Sequence, residues 1–154
     1  RPDIIDWAIV FHDIVYDPKS KTNEEDSADL FRITMQDALP KSDVDLIFEY
    51  INQTKAHDVG GSNDEDLKYF IDWDMSVLGS VDDEYDIYVG KVRQEYIHVS
   101  EQDWKTNRGA FLRGVVSGDN EQQKKFVFAH EVVRGQLEEQ AMKNMERELA
   151  TLCE

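Results

Sequence analysis

Apolar residues recur at intervals of three and four along most of the chain, which is the period of an amphipathic α-helix. The strict alternation of apolar and polar residues that is typical of a half-buried strand is nearly absent. We therefore expect an all-α protein, a single bundle of about six to seven helices. The predicted helices cover residues 3–16, 22–40, 42–55, 67–79, 80–96, 100–118 and 137–152. Capping boxes are expected at Thr22 with Glu25, Ser42 with Asp45, Ser80 with Asp83, and Ser100 with Asp103.

Polar residues interrupt two of these apolar stripes. His12 lies on the stripe of the first helix, and Asp13 falls one turn beyond Ile9, so both side chains should border the buried face. Asp74 shares the stripe of the fourth helix and should point inward. Asp72, two positions earlier and about 200° around the helix, should point toward solvent or a rim.

Such polar groups need partners, because burying an imidazole or a carboxylate alone opposes folding by several kcal/mol. A divalent metal ion would satisfy His12, Asp13 and Asp74 together, and a network of hydrogen bonds would also satisfy them. His57 is expected at or just past a helix end, where it could join either arrangement. Mixed nitrogen and carboxylate ligation favours one divalent transition ion, manganese, iron, cobalt, nickel or zinc, over magnesium or calcium.

The charge balance limits the partners of this chain. It has 154 residues, a length that suits one domain with a real core. Acidic residues number 33 against 17 basic ones, which leaves a formal charge of −16. This charge disfavours nucleic acid polymers and anionic membranes, so any phosphorylated ligand should be small. No apolar run reaches the roughly 18 residues of a membrane span.

The ends of the chain bear on its compartment. The single Cys153 excludes an internal disulfide framework and fits a reducing compartment, so we expect a cytoplasmic protein. The chain begins at Arg1 and shows no signal peptide, which is typical of an excised piece of a longer protein.

An ordered series of short motifs resembles the HD-domain superfamily, and within it the branch of predicted metal-dependent phosphohydrolases. The resemblance covers nearly the whole chain. Its motifs are Phe11-His12-Asp13, Tyr16-Asp17-Pro18, Asn23-Glu24-Glu25, Thr54-Lys55-x-His57, Asp72-x-Asp74-Met75-x-x-Leu78-Gly79, Arg93-x-Glu95-Tyr96-x-His98-Val99, Arg108 and Phe111-Leu112.

The resemblance implies an α-helical HD-type domain over residues 1–154 that hydrolyses phosphate esters of nucleotides or related small molecules. It implies His12 and Asp13 as paired metal ligands and Asp74 as the distal aspartate. The family's site begins with a further histidine on an upstream helix, which this sequence does not contain. The expected domain therefore lacks its N-terminal helix and its first ligand.

The chemistry expected of such a site is hydrolysis by a metal-activated water, which needs cations to spread the charge of the transition state. Candidate phosphate-binding residues are Lys55, His57, Arg93 and Arg108, and candidate catalytic residues are Asp13, Glu24, Glu25 and His57. For each cation alone, a surface salt bridge is the competing interpretation. Glu25 has a competing structural role as a capping residue.

The sequence leaves two functions from different classes. The first is a metal-dependent phosphohydrolase that acts on a nucleotide or another small phosphorylated molecule. The second is a non-catalytic helical module that binds a ligand or regulates a partner and keeps the same fold. The missing upstream histidine favours the second function for this chain. The buried His-Asp pair and the inward Asp74 favour the first function for a longer parent protein, because a module without catalysis does not need them, and this chain by itself is expected to be less active or inactive.

Overall fold

The computed structural model describes residues 1–57, 59, 62–117 and 126–152. Over these residues the chain has seven α-helices, one short 3-10 segment and no strand, which confirms the predicted all-α class and helix number. The helices are α1 Pro2–Phe11, α2 Asn23–Met35, α3 Lys41–Gln53, α4 Glu65–Asp74, α5 Asp82–Glu95, α6 Glu101–Ser117 and α7 Glu131–Leu152, and the 3-10 segment is Met75–Gly79. No helix in this described part is long and apolar enough to cross a membrane.

The chain divides into two compact units, Arg1–Asp74 and Met75–Glu154. In the first unit, α3 packs against α1 and α2, and α4 packs against α1 and α3. Their apolar stripes form one core, whose most deeply buried members include Ile4, Ala8, Ala28, Phe31, Ile47, Ile51 and Phe70. This packing fixes the C-terminal ends of α1 and α4. The assignment of residues 1–154 to one HD-type domain stays a prediction.

In the second unit, α7 packs against α6 and against the 3-10 segment. The close approach to α7 explains the glycine at position 79, because a Cβ atom there would lie 2.7 Å from Leu137 Cβ and 2.9 Å from its carbonyl oxygen. The buried amide of Asn144 donates to the carbonyl oxygens of Leu78 (2.9 Å) and Ser80 (2.8 Å). The 3-10 segment is therefore held by side-chain hydrogen bonds as well as by packing.

The first helix is shorter than the sequence predicts. α1 ends at Phe11 rather than at Tyr16. The chain leaves the helix because Ser27 Oγ of α2 accepts a hydrogen bond from the Val15 N–H (3.1 Å) and donates one to the Val15 carbonyl (3.3 Å). The fourth helix also ends early, at Asp74, where the predicted α-helix continues as the 3-10 segment.

The predicted helix starts are right in part. Ser100 forms the predicted capping pair, since its Oγ accepts from the Asp103 N–H at 3.1 Å. The caps predicted at Ser42 and Ser80 are wrong, because α3 starts after Pro40 and α5 starts after Val81.

Thr22 is the residue before α2, as predicted, but its hydroxyl donates to Asp26 at 2.9 Å and does not cap the helix. The expected partner, Glu25, binds Lys55 instead.

The predicted orientation of the two aspartates of α4 is wrong for Asp72. Asp72 is only 1% exposed, and the preceding residues Phe70 and Ile71 are buried as well. The core of the first unit thus covers an arc of α4 that includes Asp72, wider than the single stripe assumed from sequence spacing. Asp74 lies at the edge of this arc, with a half-buried side chain. Some predictions lie outside the described residues: the turn at Gly60 and Gly61, the helix stop at Gly118, and Cys153.

Candidate functional site

His12 directly follows the last residue of α1, and its ring is held by that helix. Its backbone N–H donates to the Ala8 carbonyl (2.9 Å), which continues the helical pattern by one residue. Its ring Nδ1 lies 2.8 Å from the Ile9 carbonyl oxygen. Because a carbonyl oxygen only accepts, Nδ1 carries a proton and donates it to Ile9. The ring therefore presents Nε2 to the rest of the site.

His12 Nε2 lies between two carboxylates. It is 3.4 Å from Asp13 Oδ2 and 3.3 Å from Asp74 Oδ1, and the His12 side chain is only 12% exposed. Burial disfavours a charged imidazole, but the hydrogen bond and the negative charge of Asp74 outweigh it, and they raise the pKa of His12 to about 9. At neutral pH a proton on Nε2 therefore links the imidazole to both carboxylates.

His57 reaches the same cluster from the end of α3. It lies four residues past Gln53, whose carbonyl oxygen accepts its N–H at 3.2 Å, so the predicted place at a helix end is confirmed. Its φ angle is +46°, a left-handed conformation that costs free energy in any residue with a Cβ atom. Its Nε2–H donates to Asp74 Oδ2 at 2.9 Å. The strained turn thus accompanies a direct contact with the candidate site.

Asp74 connects the cluster, since each of its oxygens faces one histidine. Burial alone would raise the pKa of this carboxyl group, but the hydrogen bonds from His12 and His57 and their charges lower it well below its usual range. Asp74 is therefore a carboxylate across the physiological pH range. It lies on the last turn of α4, where its side chain is 20% exposed and can be reached from solvent.

Asp13 is more exposed than the sequence predicts, with 63% of its side chain accessible. α1 has ended before this residue, so Asp13 no longer follows the helical stripe that predicted a buried border. Desolvation raises the pKa of Asp13, His12 opposes the shift, and the charges of Asp74 and Glu24 add to it. The cluster is thus open on the side of Asp13, and Glu24 is the next acidic group there.

Glu25 and Lys55 form a salt bridge between α2 and the turn that follows α3. Lys55 Nζ also donates to the Lys21 carbonyl oxygen at 3.1 Å. The other oxygen of Glu25, Oε2, is buried and has no hydrogen-bond partner among the described residues. The two predicted site residues therefore lie together in the first unit, bound to each other, and one carboxylate oxygen keeps an unused acceptor.

The other two predicted phosphate-binding residues lie in the second unit. Arg93 donates to the carbonyl oxygens of Tyr96 (2.8 Å) and Val99 (3.3 Å), which fastens the turn after α5. Arg108 is buried and forms a bidentate pair with Glu148 at 2.8 and 3.0 Å. Both guanidinium groups have structural partners, and their binding of phosphate stays a prediction.

Three partners of His12 were not expected from the sequence. Besides the Ile9 carbonyl, the ring of His12 meets Phe70 and Trp73 edge-on, with centroids 6.0 and 6.3 Å apart. Trp73 directly precedes Asp74, and an aromatic residue next to a candidate ligand was the one sequence feature that could have indicated this ring contact with His12. A carbonyl partner has no sequence signal, because every residue has a carbonyl group.

The spacing of the cluster can be compared with that of a metal site. Neighbouring ligand atoms around an ion with bonds of about 2.1 Å lie roughly 3.0–3.4 Å apart. The His12 contacts of 3.3 and 3.4 Å fall in this range. The donated Nδ1 proton also leaves Nε2 as the only possible ligand atom of a neutral His12, as in many metal sites. The donor types, and these two of the three pairwise spacings, are compatible with a divalent transition ion.

The complete arrangement is that of a hydrogen-bonded cluster. Within the described residues, no three His, Cys, Asp or Glu side chains have the arrangement of a ready-made metal site. The protonated His12 and the hydrogen bond from His57 stabilise the Asp74 carboxylate in this cluster. Comparisons with protein-family models, with curated proteins and with solved structures give no match for this chain.

Proposed function

We propose that this chain is an HD-type, metal-dependent phosphohydrolase domain that acts on a nucleotide or another small phosphorylated molecule. The observation that carries the proposal is the convergence of His12, Asp13 and Asp74, in which His12 Nε2 lies 3.3–3.4 Å from an oxygen of each aspartate. The ordered motifs that resemble the HD-domain superfamily support the same class. The formal charge of −16 supports a small substrate over a nucleic acid polymer.

The proposed metal ligands are His12 through Nε2, Asp13 and Asp74. When bound, a divalent ion would polarise a phosphate oxygen and lower the pKa of a coordinated water toward 7. The chain itself orients the ligand atoms. The Ile9 carbonyl fixes the tautomer and the ring plane of His12, and the His57 hydrogen bond fixes Asp74 from its other oxygen.

The remaining proposed residues handle the phosphate and the water. His57 is 39% exposed, so its Nε2–H can pass from Asp74 to a phosphate oxygen of a bound substrate. Lys55 supplies a positive charge on the same unit. Glu24 lies close enough to Asp13 to raise its pKa, which supports a role in orienting the attacking water. Arg93 and Arg108 remain proposed phosphate-binding residues and, like Lys55, each already has a structural partner.

The second candidate function is a non-catalytic module that keeps this fold and its polar cluster. It is favoured by one specific observation: His12, Asp74 and His57 satisfy each other by hydrogen bonds, so the described cluster holds together without an ion. In that case the same side chains would bind an anionic or polar ligand without turnover. A cytoplasmic setting is proposed for either function, because a single cysteine fits a reducing compartment.

The test combines metal content with phosphate release. The purified chain is incubated separately with Mn²⁺ and Zn²⁺, desalted, and assayed for metal per chain and for phosphate release from a panel of nucleotides. We expect about one ion per chain, and a loss of metal and activity of about tenfold or more in His12→Ala and Asp74→Asn. Matched controls are His98→Ala and Asp45→Asn, whose side chains lie outside the cluster.

Each outcome has one meaning. Bound metal with phosphate release that depends on His12 and Asp74 supports the enzyme. Bound metal without release from any nucleotide supports the non-catalytic module. Protein that takes up no ion, or uptake that both site variants leave unchanged, would refute the proposed metal centre.

A further inference from the structure

The second unit contains a cavity of about 360 Å³ between α5 and α6. This volume is within the range of small-molecule sites, which is about 300–1,000 Å³. Its walls are mostly apolar and aromatic, with Tyr96, Trp104 and Phe111 among them, and two polar side chains, Asn107 and Arg108, also line it. An apolar cavity with a few polar groups on its wall is the usual form of a ligand site.

The charge of Arg108 is already neutralised. Its Nε and Nη2 donate to the two oxygens of Glu148, and both side chains are almost fully buried, with 9% and 4% exposed. The Tyr85 hydroxyl donates to the same carboxylate at 2.6 Å. Two of the five N–H donors of a guanidinium group are used in these bonds, which leaves up to three for a ligand of the cavity that Arg108 lines. The cavity wall thus offers hydrogen-bond donors without a net positive charge.

The aromatic walls do not favour a cation either. The guanidinium carbon of Arg93 lies 5.4 Å from the centroid of Trp104, and that of Arg108 lies 5.4 Å from the centroid of Phe111. Aromatic rings attract cations through their faces, but these rings already have positive groups beside them. Each ring therefore already has a guanidinium group within cation–π distance, and each of these groups is itself paired with a carboxylate, Arg93 with Glu101 and Arg108 with Glu148, so a charged ligand gains little at either ring.

We propose that this cavity binds an uncharged, planar aromatic molecule that carries a hydrogen-bond acceptor, such as an aromatic carboxamide or a heterocyclic base. The flat ring would pack against Trp104 and Phe111 in the stacked or edge-on geometries that aromatic pairs prefer. The acceptor would take a hydrogen bond from Arg108 or from the Asn107 amide. This site does not depend on the proposed phosphohydrolase activity, because all of its residues belong to the second unit.

The test uses four probes that share one size: benzamide, benzoate, benzylamine and cyclohexanecarboxamide. The chain has three tryptophans, and Trp104 is the one in the second unit, so its indole N–H resonance in a ¹⁵N-labelled sample reports on the cavity. Trp7→Phe and Trp73→Phe assign the three resonances. We expect benzamide to shift the Trp104 resonance saturably and to leave the other two in place. The two charged probes and the non-aromatic amide should bind about tenfold more weakly or not at all.

Variants then locate the binding. Phe111 is 48% exposed and Asn107 is also exposed, so alanine at either position should leave the fold intact. Phe111→Ala and Asn107→Ala should each weaken benzamide about three- to tenfold. Ile87→Ala, which removes an exposed apolar residue of α5 outside the cavity, should have no effect. A Trp104 resonance that benzamide leaves unmoved, or that the charged or non-aromatic probes shift equally well, would overturn the proposal.

Discussion

Each compact unit contains a cluster of charged side chains, and the two clusters differ in how completely they are closed. In the second unit, Arg108 and Glu148 are almost fully buried and pair through two hydrogen bonds. In the first unit, the exposure of the side chains rises from 12% at His12 through 39% at His57 to 63% at Asp13. Similar chemistry is therefore used in two ways: a closed pair contributes structure, whereas an open cluster keeps side chains that a ligand can reach.

Removing one partner from the closed cluster should have the largest effect. Glu148→Ala leaves the buried guanidinium of Arg108 and the Tyr85 hydroxyl without their acceptor. We expect the free energy of unfolding to fall by about 3–5 kcal/mol, measured by urea denaturation. Glu139→Ala is the matched control on the same helix, because its salt bridge with Lys143 is exposed and should contribute little to stability. Equal losses in both variants would remove the distinction between the clusters.

The free energy of unfolding of the metal-free protein should depend on pH through His12 of the open cluster. The pKa of His12 is raised to about 9 in the folded chain, against about 6.5 unfolded. A raised pKa means that the protonated form stabilises the fold. This contribution is fully present below about pH 6.5 and is lost as the pH rises through 9, for a total of about 3 kcal/mol. Unfolding measured between pH 6 and 10 with a chelator present should show this fall, and His12→Ala should abolish it. An unchanged slope in His12→Ala would contradict the assignment.

Removing the charge of Asp74, at the centre of the open cluster, should lower the free energy of unfolding by less than Glu148→Ala does in the closed cluster. Asp74→Asn removes the negative charge that both His12 and His57 face. We expect a loss of about 2 kcal/mol in the free energy of unfolding at neutral pH, since hydrogen bonds to charged groups contribute about 1.5–3 kcal/mol. Asp45→Asn, at a more exposed position of α3, is the control. A loss as large as that of Glu148→Ala would mean that the first cluster is as closed as the second.

The smallest predicted change in stability concerns the backbone conformation of His57 in the open cluster. His57→Gly and His57→Ala both remove the imidazole, and they differ only in the Cβ atom at a residue with φ of +46°. Glycine adopts this conformation without the penalty that alanine pays, so the glycine variant should be more stable by about 1 kcal/mol. Thermal unfolding of the two variants side by side measures the difference. An alanine variant that is equal or more stable would show that the turn carries no strain.

Much of the fold could be predicted from the sequence because helical periodicity is local. The apolar stripes identified the helices of both units, and the Ser100 cap was also recognised. The misplaced ends of α1 and of α4 depend on contacts between elements. Ser27 reaches from α2 to end α1, and Asn144 of α7 binds the carbonyl groups on both sides of Gly79. No local pattern contains such information.

The candidate site could be predicted to a lesser degree. The spacing along α1 and α4 was enough to name His12 and Asp74, whose Nε2 and Oδ1 atoms lie 3.3 Å apart in the structure. The exposure of Asp13 and the burial of Asp72 were mistaken, because a single-stripe interpretation ignores where a helix ends and how wide an arc the core covers. Arg108 could not be separated from a free cation, since its partner Glu148 is 40 residues away in the chain.

The hydrogen bond between His12 Nδ1 and the Ile9 carbonyl links the chemistry of one ring to the end of a helix. The last four carbonyl groups of a helix lack partners within it, and Ile9 is one of those four in α1. A rotation of the His12 ring would break the hydrogen bond to the Ile9 carbonyl. A ligand bound at Nε2 would hold the ring in place and would therefore stabilise this hydrogen bond. If a ligand binds at Nε2 as proposed, the backbone amide of His12, which donates to the Ala8 carbonyl in the same last turn, should exchange its hydrogen for deuterium more slowly.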